Sequence, residues 1–261
     1  MTPRGAARRT MNSALAALHR GDVLILDDAL GAGAAAHVLS ETKHLLRTHR
    51  MLAETPRSFL PNVPEAFATS IYDLFPSFWD SLRLTNWFSG ADEEQPALAH
   101  AIRALARVHA AIGAAERASG ISANPRWPAQ GLRADDNALL AVSNFDGTRY
   151  ALHSDAAVND ERKIVAVYFP RSEPAWRPGD GGELRIECDG GEQRVSPRTD
   201  RLVLFHADLA HEVLPSLRGR PRISLSVWGL GVGTRRHAAN QRVDLSHRCT
   251  SDLCARRGRL G

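Results

Sequence analysis

Between Leu139 and Trp228 the chain is a succession of short β-type runs: Leu139 to Ser143, Ile164 to Phe169, Glu183 to Cys188, Arg201 to Phe205 and Ile223 to Trp228. Gly, Pro and Asp turns separate them, and no helical periodicity intervenes. Strands this close together, with no crossover helices between them, must pair with antiparallel neighbours in a sandwich or jelly roll.

The preceding half reads differently. Gly21 to Asp28 is expected as a buried strand, and Ala34 to His49 as a helix with Val38, Leu39, Leu45 and Leu46 on its inner side. After Pro96, Leu98, Ile102, Leu105, Val108 and Ile112 recur at helical spacing until Gly120 supplies a stop. The expected class is therefore α+β, a jelly-roll core braced by N-terminal helices. The expected organisation is a flexible start over 1–20, irregular and then briefly helical. A single domain over 21–234 follows, with helices and an insert in 21–130 and the β core in 131–234. A basic tail occupies 235–261.

Hydrophobic residues make up 43% and charged residues 24%, the balance of a globular protein rather than a disordered one. No apolar run approaches the roughly 20 residues a bilayer span needs, so no membrane association is expected. The formal net charge is +4, yet only Lys43 and Lys163 are lysines and no compact basic stripe interleaves with aromatics. Nucleic acid is thus not an expected partner. Cys188, Cys249 and Cys254 are too few and too late for a disulfide framework, which suggests a reducing, cytoplasmic setting. His247, Cys249 and Cys254 lack a fourth ligand at zinc spacing. Oligomeric state is left open.

The chemistry concentrates in three places. His153 and Asp155 stand two residues apart in Tyr-Ala-Leu-His-Ser-Asp, on one face if that segment is a strand. His211, heading His-Glu-Val-Leu-Pro, would return on a partner strand as a third ligand. Two imidazoles and one carboxylate hold a metal while leaving positions open, as in non-haem Fe(II) sites. Arg222 heads Arg-Ile-Ser-Leu-Ser-Val-Trp, and an arginine alternating inward on such a strand could grip a dicarboxylate with its fork. Singly, each has a bland reading: a turn-flanking pair, a satisfied histidine, a solvated arginine. His206, five residues before His211, is the competing third ligand.

In order along the chain stand Asp-Gly-Thr-Arg-Tyr-Ala-Leu-His-Ser-Asp ending at Asp155, Gly-Gly-Glu-Leu-Arg-Ile from Gly181, Asp-Arg-Leu-Val-Leu-Phe from Asp200, His-Glu-Val-Leu-Pro from His211 and the run from Arg222 to Trp228. Together, the stretch from about Asn137 to Gly229 resembles the catalytic core of 2-oxoglutarate and Fe(II)-dependent oxygenases. It is most similar to the prolyl 4-hydroxylase type that includes the oxygen-sensing prolyl hydroxylases. The resemblance implies a cupin-like double-stranded β-helix with Fe(II) on His153, Asp155 and His211. It places the far carboxylate of 2-oxoglutarate on Arg222, with Val213 and Trp228 lining the pocket, and favours His211 over His206. O2 is the implied second cosubstrate and ascorbate the implied reductant.

Two positions depart from that pattern. The family usually places a tyrosine ten residues before the first histidine, where this chain has Ser143, and another on the strand after the ligands, where it has Phe169. Both are cosubstrate contacts in the family, so the pocket here loses two hydroxyl donors. Tyr168 adjoins Phe169, but a one-residue shift on a strand turns it to the opposite face. Tyr150 matches a family tyrosine three residues before His153.

The resemblance implies hydroxylation of a C–H bond in a peptidyl residue (proline among the candidates), a free amino acid or a small metabolite, with succinate and carbon dioxide as co-products. Retention of the carboxylate ligand Asp155 speaks against halogenation. Two alternatives are a non-catalytic metal-binding β-domain and a nucleic-acid demethylase of the same superfamily. Within Met51 to Trp127, the aromatics Trp79, Trp87, Phe88 and Trp127 are read either as a lid that sets substrate choice or as packing of an extra helical layer.

Overall fold

The computed structural model describes residues 14–53, 83–119, 132–143, 149–156, 161–170, 175–217 and 221–231. His247, Cys249, Cys254, Trp79 and Trp127 lie outside these residues, as does the expected basic tail. Residues 14–19 are helical, and Leu15 and Leu18 are buried in the main core. The packed core therefore reaches back before Gly21. After them come β1 (Leu24–Leu26), α1 (Ala32–Arg47), β2 (Leu52–Ala53), β3 (Arg83–Ser89), α2 (Pro96–Ser119), β4 (Leu132–Ser143), β5 (Tyr150–His153), β6 (Arg162–Phe169), β7 (Leu184–Cys188), β8 (Gly191–Val195), β9 (Arg201–His206), β10 (His211–Val213) and β11 (Arg222–Gly231).

Two antiparallel sheets result. The larger has strand order β1-β9-β6-β11-β4-β3-β2 and the smaller β5-β10-β7-β8. Strand parity sorts the side chains between two cores. On β6, β9 and β11, Ile164, Ala166, Tyr168, Leu202, Leu204, Ile223, Leu225 and Val227 face the helices. Their neighbours Val165, Val167, Phe169, Val203, Phe205 and Trp228 face the smaller sheet, where Tyr150, Leu184, Ile186, Val195 and Val213 meet them. This is the double-stranded β-helix expected from the sequence, and the second core surrounds the site.

Helix α2 carries Leu98, Ala101, Ile102, Leu105 and Ile112 into the first core, the spacing that marked it in the sequence. Its N-terminus is capped from α1, where the Glu41 carboxylate accepts Ala97 N–H and Leu98 N–H at 2.8 Å each. The turn leading into helix α1 is held by Asp200, whose carboxylate accepts Leu30 N–H at 2.9 Å and Gly31 N–H at 2.7 Å. Asp200 also accepts the Tyr168 hydroxyl at 2.8 Å. The helices are thereby fixed to the sheet they cover.

The expected buried strand over Gly21 to Asp28 is instead the three-residue edge strand β1, with Ile25 36% and Leu26 45% exposed. It pairs with β9 alone, and an edge strand has only one neighbour to cover it. Strand β4 starts well before Leu139. Between Ala134, opposite Gly229, and Ala138, opposite Val227, the polar run Asp135-Asp136-Asn137 bulges out across from Trp228. The polar run interrupts the apolar alternation that would have announced the strand.

Candidate metal centre

His153 closes β5 and His211 opens β10, and the two are direct cross-strand partners. Their ring centroids lie 4.2 Å apart. Asp155 does not continue β5. It sits in a bend just past the strand, where Asp155 N–H and Ala156 N–H both donate to the Ala207 carbonyl, at 2.8 and 2.9 Å. The same-face argument from strand alternation therefore gave the right partner through the wrong geometry: backbone pinning to the β9–β10 connection, not pleat, turns the carboxylate inward. One ligand atom from each of His153, Asp155 and His211 lies within 4.8 Å of the others.

The tautomers are fixed by the backbone. His153 Nδ1 faces the Ala151 carbonyl at 2.8 Å, and His211 Nδ1 faces the Leu209 carbonyl at 2.9 Å. A carbonyl can only accept, so each Nδ1 carries the hydrogen and each Nε2 presents a lone pair to the shared centre. Those Nε2 atoms stand 3.5 and 3.9 Å from the two Asp155 oxygens. Burial alone would push the Asp155 carboxyl up, but without a metal its contact with His153, the charge that His211 and His153 carry when protonated, and the charge of Arg162 outweigh that. They hold it well below the usual carboxylate range. Two neutral imidazole nitrogens and an ionised carboxylate in largely buried surroundings fit Fe(II), with coordination positions left for other ligands.

His206 takes no part. It lies on the helix-facing side of β9, in parity with Leu202 and Leu204, is 1% exposed, and its Nε2 meets the Leu18 carbonyl at 2.7 Å. It ties the N-terminal helical turn to the sheet.

The other expected site residues fall around the triad. Tyr150 packs edge-on against His153 with centroids 4.5 Å apart, and Val213, two residues along from His211, lines the same interior. Trp228 donates its indole Nε1–H to Asp155 Oδ2 at 2.9 Å. It therefore orients the carboxylate ligand itself. Arg222 and Trp228 share one face of β11. The Arg222 guanidinium, 5% exposed as a residue, is centred 4.9 Å over the Phe169 ring. Its Nε donates to the Gly182 carbonyl at 2.9 Å and one terminal nitrogen to Ser224 Oγ at 3.0 Å. Ser143 is buried directly across from Arg222 in the β4–β11 register. Tyr168 points the opposite way, into the helix-facing core, as its parity with Phe169 requires.

Two residues were missed by the sequence reading. Arg162 places its guanidinium 4.6 Å over the Trp228 ring and contributes to the field on Asp155. Ser224 clamps Arg222; it was visible in the quoted Arg-Ile-Ser run as the residue two positions on and hence on the same face. Of the aromatic insert, Trp87 and Phe88 split by strand parity. Phe88 packs into the helix-facing core, whereas Trp87 is 51% exposed and lies 5.5 Å, centroid to centroid, from Trp228.

Comparison with known proteins agrees with this geometry. Residues 140–229 match the 2OG-Fe(II) oxygenase superfamily. A hypoxia-inducible factor prolyl hydroxylase of Caenorhabditis elegans is 34% identical over 119 residues, 44% of this chain; the match spans 16% of that protein's length. Among solved structures, a prolyl hydroxylase of Trichoplax adhaerens, in complex with a hypoxia inducible factor oxygen degradation domain peptide, superposes with a TM-score of 0.67. It shares 16% identity and covers 88% of this chain and 94% of that one. A prolyl-4-hydroxylase of Pseudomonas putida gives 0.60 at 22% identity, covering 85% of this chain and 99% of that one. Residues 140–229 are thus similar to the 2OG-Fe(II) oxygenase superfamily, and the chain has the double-stranded β-helix fold seen in solved prolyl hydroxylases.

Proposed function

We propose that the protein is an Fe(II)- and 2-oxoglutarate-dependent dioxygenase that hydroxylates an unactivated C–H bond. The observation that carries this reading is the convergence of His153, Asp155 and His211, with both imidazoles locked in the ligating tautomer. When bound, the iron and 2-oxoglutarate activate dioxygen for hydroxylation, releasing succinate and carbon dioxide, with ascorbate keeping the metal reduced. What the chain itself supplies is positioning and shielding. Ala151 and Leu209 hold the imidazole tautomers, and Trp228 and the Ala207 carbonyl hold the Asp155 carboxylate. Arg222 offers a charged fork to the far carboxylate of the 2-oxo acid, with Val213 and Phe169 walling off water.

The substrate class that the comparisons favour is a peptidyl residue, proline first. The protein's structural neighbours include prolyl hydroxylases, one of them in complex with a peptide fragment, and the exposed Trp87 beside Trp228 gives this chain an aromatic surface at the site for such a side chain. A free amino acid or small metabolite is the narrower alternative to separate. Incubating purified protein with Fe(II), ascorbate and 2-oxoglutarate, with and without proline-containing peptides, tests the reading. Succinate release coupled to addition of one oxygen to a peptide is expected. Protein that retains iron yet releases no succinate with any acceptor would reduce it to a metal-binding β-domain.

A further inference from the structure

The segment after β10 runs as a strap against the entry to β7. Leu214 N–H donates to the Glu183 carbonyl at 2.9 Å, Gly182 N–H to the Pro215 carbonyl at 3.0 Å and Leu217 N–H to the Asp180 carbonyl at 2.7 Å. Gly181 and Ser216 form a β-bridge. The strap needs glycine beneath it. Gly181 has φ +74°, and a Cβ there would stand 2.1 Å from the Pro215 carbonyl oxygen.

The neighbouring Gly182, also at φ +74°, leaves a slot that two side chains share. A Cβ on Gly182 would lie 3.1 Å from Ser216 Oγ and 3.4 Å from Arg222 Cδ. The Ser216 hydroxyl and the stem of Arg222, whose Nε is anchored on the Gly182 carbonyl, thus both border the space over Gly182. Ser216 is 2% exposed, and its Oγ has no hydrogen-bond partner among the described residues. An orphaned hydroxyl in a buried site costs free energy unless something completes it. The ring beneath Arg222 is Phe169, which brings no hydroxyl to the pocket.

We propose that Ser216 is a binding residue for the far carboxylate of a dicarboxylic 2-oxo acid, its Oγ–H donating to the carboxylate that Arg222 grips. The inference rests on the dioxygenase reading above and extends it to a residue that acts only through the cosubstrate. It also explains the orphan: the hydroxyl is left incomplete so that the ligand completes it. Deleting such a group should leave the empty protein as stable as before, because no protein contact is lost.

The test is calorimetric binding of 2-oxoglutarate to the Mn(II)-loaded protein, in which the cosubstrate binds without turnover. Ser216→Ala is expected to weaken 2-oxoglutarate by about tenfold, the size of one hydrogen bond to a charged group. Mn(II) affinity and the melting temperature of the ligand-free protein should be unchanged. Unaltered 2-oxoglutarate affinity would overturn the proposal. So would a parallel fall in melting temperature, since the hydroxyl would then be holding the fold. A wild-type Mn(II) protein that binds no 2-oxoglutarate would instead overturn the dioxygenase reading, and this inference with it.

Discussion

Trp228 donates its indole N–H to Asp155 Oδ2 at 2.9 Å while its ring contacts both Trp87, 5.5 Å away, and the Arg162 guanidinium, 4.6 Å away. The carboxylate ligand is therefore oriented by an aromatic side chain that solvent-facing residues can reach. Outer partners of this kind typically govern metal affinity by one to two orders of magnitude. Trp228→Phe keeps most of the ring but removes the donor. It should weaken Fe(II) or Mn(II) binding by about tenfold, measured by chelator competition, with the melting temperature of the metal-free protein little changed. Wild-type metal affinity in the variant would mean that the Ala207 clamp on the Asp155 backbone suffices.

The two nearby histidines divide metal binding from architecture. His211→Ala removes one of three converging ligands and should abolish stoichiometric metal binding and succinate release. His206→Ala removes the link to the Leu18 carbonyl, which keeps its bond from Gly21 N–H, and should cost about 1 kcal/mol while leaving metal stoichiometry intact. Thermal unfolding and metal analysis of the two variants should show opposite patterns. Equal metal loss in both would assign His206 to the site.

How far the sequence alone reached can be judged residue by residue. Arg222, Trp228 and His211 were legible because each lies within a short run whose parity survives folding: the strand either presents all of its alternate residues to the site or none. The same parity separated Tyr168 from Phe169 and, on β3, Trp87 from Phe88. Asp155 was legible in identity but not in geometry, because a bend held by the Ala207 carbonyl has no periodic signature. The start of β4 was hidden by Asp135-Asp136-Asn137, a bulge whose polarity mimics a loop, and the exposure of β1 by an apolar run that turned out to lie on an edge. Ser216 and Arg162 come near the site through contacts between distant segments, which spacing along one segment does not encode.

Arg222 is buried over Phe169 and clamped by Gly182 and Ser224. Removing a buried charged partner of a ligand carboxylate costs several kcal/mol, so Arg222→Ala should raise the 2-oxoglutarate KM by about a hundredfold with a smaller effect on Fe(II) affinity. Arg222→Lys should recover only part of this, since an ammonium cannot reproduce the planar fork that Gly182 and Ser224 orient. Steady-state succinate release at varied 2-oxoglutarate checks both variants.

Trp87 is the exposed face of the stack that ends at Asp155, and losing a large aromatic contact should affect an acceptor bound there more than the cosubstrate below. Trp87→Ala is expected to raise the KM for the acceptor severalfold, while succinate formed in the absence of acceptor continues at the wild-type rate. Equal loss of coupled and uncoupled turnover, accompanied by a lower melting temperature, would make Trp87 a packing residue.

His109 on α2 links the acid stability of the fold to the strand that carries Trp228. Its ring is fully buried, its Nε2 faces the Val227 carbonyl at 3.2 Å and its Nδ1 has no partner among the described residues. A Cβ on Gly229 would lie only 2.7 Å from that Nδ1, so the glycine is what lets the helix approach. Burial lowers the His109 pKa to about 4, against the opposing effect of the Val227 carbonyl. The folded state therefore binds fewer protons than the unfolded chain, in which histidine titrates near its ordinary value. Stability is intact above the unfolded pKa of 6.5, falls as pH drops from there toward 4, and levels off below. Across that window the loss amounts to about 3 kcal/mol. His109→Gln, which keeps a donor for Val227 but does not titrate, should flatten this part of the curve. The check is the difference between the two proteins' urea midpoints from pH 7 to pH 4, because the other histidines and carboxylates cancel in it. A constant difference across the range would show that His109 takes up a proton as readily in the folded protein as in the unfolded chain.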